Sequence, residues 1–133
     1  MVKKLSHIGI AVKDLATSRK LFESLLNAKF KGSEEVNEQK VKLAFMETGD
    51  LSLELTQPTS ADSPVQKFID KRGEGVHHLS FEVDDIRAEL ARMKAEGYHL
   101  IDEEPRIGAG GHLIAFIHPK SSNGVLIEIC QKH

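Results

Sequence analysis

Apolar and polar residues alternate along four short stretches of this chain, and the stretches fall into matched pairs. HIGIAVKDL from His7 is echoed by HLSFEVDDI from His78, and LSLELTQ from Leu51 by VLIEICQ from Val125. The pairs follow in the same order at nearly the same separation. Composition alone does not generate that, so the chain reads as a duplicated module. Period-two alternation predicts a half-buried strand in each stretch.

Between the paired strands each half carries a helix signal. In the first, Asp14 can cap a helix with Leu15, Leu21, Phe22, Leu25 and Leu26 on one side. In the second, Asp85 precedes Ile86, Leu90 and Met93 at helical spacing, and Gly97 stops the run. Further strands are predicted over KVKLAFMETG from Lys40 and HLIAFIHP from His112, with a weaker one in each half around Phe30 and Leu100. Each half is therefore βαβββ. The connecting piece has its own short helix, with Ser63 as N-cap, Pro64 in the first turn, and Val65, Phe68 and Ile69 before Gly73. The expected organisation is one domain over residues 1–133, with a module over 5–57, a linker over 58–75 and a second module over 76–131. The expected fold class is α+β, the two tandem modules forming a curved, barrel-like sheet of eight strands.

Strand parity sorts the side chains by face. His7, Gly9 and Ala11 oppose Ile8, Ile10 and Val12; His78, Ser80 and Glu82 oppose Leu79, Phe81 and Val83. Likewise Ser52, Glu54 and Thr56 oppose Leu51, Leu53 and Leu55, while Leu126, Glu128 and Cys130 oppose Val125, Ile127 and Ile129. One face suits packing under helices. The other is mostly small or polar and gathers His7, Glu54, His78 and Glu128, one imidazole and one carboxylate from each half. A single strand histidine is usually structural and a single strand glutamate usually solvated; the repeat symmetry makes this set of four a metal-site candidate. Nitrogen and oxygen donors suit a divalent ion such as cobalt, manganese, nickel, zinc or magnesium. His77 is the control, because it points away from the face of His78.

Composition narrows the partners. A chain of 133 residues supplies one domain's core, not two of ordinary size. With 18 basic and 20 acidic residues, the net charge of -2 argues against nucleic acid or an anionic membrane as a partner. No stretch is long and apolar enough to span a bilayer, and the lone Cys130 suits a reducing compartment and reads as a packing residue, so a cytoplasmic location is expected. Gly108 to Gly111 read GAGG without the Lys-Ser/Thr of a phosphate-binding loop, which favours a tight turn or lid. His118 reads as a supporting residue, and His99, His112 and His133 as exposed.

The duplicated pattern and its ligand set resemble the vicinal oxygen chelate superfamily, which has the glyoxalase fold. NEQKVKLAF, RGEGVHHLSFEVDDI, DEEPRIGAGG and AFIHPKSSNGVLIE resemble the methylmalonyl-CoA epimerases within it, over nearly the whole span from His7 to Cys130. The resemblance implies interconversion of (2R)- and (2S)-methylmalonyl-CoA by two-base proton transfer through a metal-stabilised enolate. It implies Glu38 and Glu128 as the paired bases, and Lys120 and Ser121 as substrate contacts. A homodimer and a place in propionate metabolism come with it. Two other readings stand beside it: a glyoxalase-like isomerase or other metal enzyme of the superfamily, and a metal-free small-molecule binding protein.

Overall fold

A computed structural model of the chain describes residues 1–133. Its elements run β1 (Val2–Ala11), α1 (Leu15–Leu26), β2 (Lys29–Val36), β3 (Val41–Thr48), β4 (Leu51–Pro58), α2 (Pro64–Arg72), β5 (Gly75–Val83), α3 (Ile86–Ala95), β6 (Arg106–Ile107), β7 (Leu113–Ile117) and β8 (Ile127–Gln131). Two βαβββ successions separated by α2 are thus present. Within the halves the strands are ordered β2-β3-β4-β1 and β5-β8-β7-β6. In each half the first strand runs parallel to the last, β1 with β4 and β5 with β8. The other pairings within the halves are antiparallel. The chain divides into two compact units, residues 7–77 and residues 1–6 with 78–133. No helix is long and apolar enough to cross a membrane.

Helix starts follow the local sequence. Asp14 accepts the Thr17 N–H at 3.0 Å, Ser63 Oγ the Val65 N–H at 3.2 Å and Asp85 the Ala88 N–H at 3.1 Å. The glutamine that closes each repeat adds a second tie. Gln57 Oε1 accepts the Leu15 N–H at 2.7 Å, and Gln131 Oε1 accepts the Ile86 N–H at 2.9 Å. In each half the last strand thereby satisfies an amide that the first helical turn leaves open.

In the unit of residues 7–77, Val12, Ala28, Ala44, Met46, Leu53 and Leu55 form the core, with Ile8, Ile10, Leu15 and Phe22 against it. The apolar stripe of α1 is narrower than the leucines predict. At 3.6 residues per turn, Leu15, Ser18 and Phe22 share the inner face. Leu21 and Leu25 fall beside it, and Leu26 lies at the open end; the three are 54%, 66% and 42% exposed.

In the other unit, Val83, Ile86, Leu90, Ala115, Ile117 and Ile129 form the cluster to which α3 contributes. A second cluster holds Ile114, Phe116 and Cys130, with Leu126 against it. Since Leu126 and Cys130 share their face with Glu128, β7 makes that face more apolar than the paired strands alone suggest. The strand expected around Leu100 is only a single bridge to Ile117, and the edge strand is Arg106–Ile107 instead. The reason is a side chain in place of a ladder bond. Asp102 Oδ2 takes the Phe116 N–H at 2.9 Å, while the Phe116 carbonyl accepts from both Ile101 and Asp102.

Candidate metal centre and active site

Parallel pairing within each half sets one histidine strand beside one glutamate strand. The register puts Gly9 opposite Glu54 in the first half and Ser80 opposite Glu128 in the second. His7 Nδ1 lies 3.2 Å from Glu54 Oε2. The His78 ring meets Phe116 edge to face, with centroids 5.7 Å apart.

His78 and Glu128, in one unit, are both buried, and each offers a ligand atom within 4.8 Å of the other; His7, in the other unit, is buried as well. An imidazole and a carboxylate at that spacing fit a divalent cation that takes nitrogen and oxygen donors. Burial pushes the Glu128 carboxyl up to about 7, with Asp102 adding to the rise, while the Ser80 hydroxyl nearby and the charge of Arg106 oppose it. A bound cation favours the ionised carboxylate that ligation needs, and so offsets that rise. Cys130, two residues along β8, supplies no thiolate, because burial raises its thiol pKa further.

His77 is elsewhere, as strand parity requires. Its ring packs edge-on against Phe68 of α2 at 5.0 Å, and burial pushes it down to about 4, leaving it neutral at ordinary pH.

The other sequence candidates lie on short turns. Glu38 is exposed on the single-turn 3-10 helix Asn37–Gln39 between β2 and β3, closed by Lys40 at φ 56. Lys120 and Ser121 belong to the turn Pro119–Ser121, where Lys120 is exposed and Ser121 Oγ accepts the His99 N–H at 2.8 Å. His118 Nδ1 accepts the Lys120 N–H at 3.0 Å, and its ring stacks on His99 at 4.6 Å. His99 therefore has a partner although it is exposed. His112 and His133 also meet, with centroids 5.2 Å apart, and His112 is half-buried instead of exposed. The GAGG segment is a tight turn, with Gly110 at φ 70 and Gly111 at φ 74. Gly108 there lies against Ile114, where an added Cβ would come within 2.8 Å.

Arg106 was not singled out by the sequence pattern. Its guanidinium carbon sits 5.6 Å from the Phe116 ring centroid, on the side chain that also touches His78. A two-residue strand carries no periodicity from which its direction can be read.

The family model described as the Glyoxalase/Bleomycin resistance protein/Dioxygenase superfamily matches residues 6–116. The uncharacterized protein YqjC of Bacillus subtilis (strain 168) is 43% identical, over 98% of this chain and 93% of its own. The mitochondrial methylmalonyl-CoA epimerase of Dictyostelium discoideum is 38% identical, over 98% of this chain and 80% of its own. Among solved structures, a methylmalonyl-CoA epimerase in complex with methylmalonyl-CoA and NH4+ matches with a TM-score of 0.95 at 34% identity, covering 99% of this chain and 96% of that one. The chain belongs to this superfamily and, within it, to the methylmalonyl-CoA epimerase family.

Proposed function

We propose that the protein interconverts (2R)- and (2S)-methylmalonyl-CoA by moving the proton on the carbon between thioester and carboxylate. The observation that carries this reading is one buried histidine beside one glutamate in each unit, His7 with Glu54 and His78 with Glu128, in a chain whose relatives include a solved epimerase holding methylmalonyl-CoA. His7, Glu54, His78 and Glu128 are the residues assigned to hold a divalent cation, cobalt first. When bound, the cation supplies positive charge beside the negative charge that grows on the acyl oxygens as the proton leaves.

The chain's own residues do the proton work. Inversion requires one group to remove the proton from one side of the planar intermediate and another to return it on the other. Glu38 and Glu128 are assigned those roles. Burial alone raises the Glu128 carboxyl; the bound cation offsets that rise and keeps the carboxylate ionised, the form that takes up a proton. Glu38 lies outside the assigned ligand group, so ligation does not compete with its role as base. Lys120 and Ser121 are assigned to the substrate, a cation and a hydroxyl suited to its anionic groups. The same reading includes a homodimer, supported by exposed apolar residues such as Leu21 and Leu25, and a cytoplasmic location, supported by the single cysteine.

The test is proton exchange in D2O with one epimer, with cobalt and with a chelator, following deuterium entry and stereochemistry together. Metal-dependent deuterium entry with epimerisation is the expected result. No exchange in the cobalt form would overturn the assigned reaction.

A further inference from the structure

We propose that Arg106 reads the free carboxylate of the acyl group, and so selects CoA thioesters that carry a carboxylate on the reacting carbon. The proposal rests on the epimerase reading and deepens it by naming a specificity residue.

Register places the side chain. Arg106 of β6 pairs with Ile114 of β7, and Phe116, two residues further along β7, pairs with Glu128 of β8. Paired residues in an antiparallel ladder share a face, as do residues two apart on a strand. Arg106, Ile114, Phe116 and Glu128 therefore point the same way. From the edge strand the arginine reaches inward over β7. Its guanidinium carbon lies 5.6 Å from the Phe116 centroid, and the same ring lies 5.7 Å from that of His78. One aromatic ring thus separates a permanent cation from a candidate ligand.

The guanidinium is also held. Asp102 Oδ1 stands 3.5 Å from Arg106 Nε, while Asp102 Oδ2 accepts the Phe116 N–H at 2.9 Å. The carboxylate that anchors the arginine is fixed to the strand that carries the ring beneath it. With the Arg106 side chain 32% exposed, an entering group can still reach the guanidinium.

Charge gives the site a need for such a residue. The assigned ligands include two carboxylates, Glu54 and Glu128, and the substrate brings a third. A guanidinium presents parallel N–H donors that match a carboxylate's two oxygens, which an ammonium does not. A thioester without the carboxylate gains nothing from it.

Equilibrium binding, measured with the equilibrated mixture of epimers, tests this with a readout other than activity. Cobalt-loaded wild type, Arg106→Gln and Arg106→Lys are titrated with methylmalonyl-CoA and with propionyl-CoA, the same acyl thioester lacking the carboxylate. Wild type should prefer methylmalonyl-CoA. Arg106→Gln should weaken that ligand about 10- to 100-fold, as expected for a lost charged hydrogen bond, and leave propionyl-CoA unchanged. Arg106→Lys should fall between, and it keeps the test open if the glutamine variant does not fold. Either variant retaining the full wild-type preference, or weakening both thioesters equally, would overturn the assignment. A wild type that binds both equally would overturn it while leaving the epimerase reading in place; one that binds neither would overturn both.

Discussion

His7 on β1 and Glu54 on β4 are joined across parallel strands, Nδ1 to Oε2 at 3.2 Å. Such a contact fixes the ring's orientation and tautomer and makes its other nitrogen a better donor. Glu54→Ala should lower cobalt affinity about 10- to 100-fold, through loss of a ligand or of the support for His7. Glu54→Gln, which keeps an acceptor oxygen, should recover part of that loss. Calorimetric titration of apo protein with cobalt checks both; unchanged affinity in the alanine variant would remove Glu54 from the site.

The neighbouring histidines separate site from scaffold. His78 lies beside Glu128 in the candidate ligand group, while His77 packs on Phe68. His78→Ala should abolish stoichiometric metal binding. His77→Ala should bind metal normally and lose roughly 1 kcal/mol of stability with the aromatic contact. Metal analysis after purification without chelator, with thermal melts beside it, distinguishes the two.

A pH prediction follows from α3. The amino group of Met1 donates to Glu89 at 2.8 Å, and Arg92 stands 3.0 Å away; these partners hold the Glu89 carboxyl below its ordinary range. A depressed folded-state value stabilises the protein above the unfolded value and is lost as pH falls through the folded one. Both partners reach in from solvent, which limits the contribution to about 1 kcal/mol. Glu89→Gln should therefore be less stable than wild type at pH 7 and approach it below about pH 4. Urea melts at both pH values test this; equal stability at pH 7 would contradict it.

What the sequence discloses here is local or periodic. The caps Asp14, Ser63 and Asp85 act within a few residues, and all three bond as their spacing requires. Parity separates His77 from His78 because alternation is fixed by the backbone. Leu21, Leu25 and Leu26 mislead because leucine is favourable in a helix whether or not it is covered. The strand at Leu100 is lost to a bond between Asp102 and Phe116, a contact no window around Leu100 contains. Gln57 and Gln131 are visible as a repeat, yet their task needs the register of β4 and β8 beside the helix starts. Arg106 is hidden for the same reason, since only its pairing with Ile114 gives it a direction.

Glu38 is the residue whose role separates most cleanly from metal binding. It sits exposed on the turn between β2 and β3, outside the strands that carry the assigned ligands, and its amide isostere keeps its shape without its charge. If it removes the proton, Glu38→Gln should keep wild-type cobalt content and melting temperature while turnover falls about 10²- to 10⁴-fold, the range for loss of a general base. Deuterium entry adds a sharper criterion. With only Glu128 left to exchange protons, one epimer should take up solvent deuterium with its configuration retained, and the other should not exchange. Epimerisation at the wild-type rate in the variant would remove Glu38 from the reaction, and equal loss of exchange from both epimers would make it a positioning residue instead of a base.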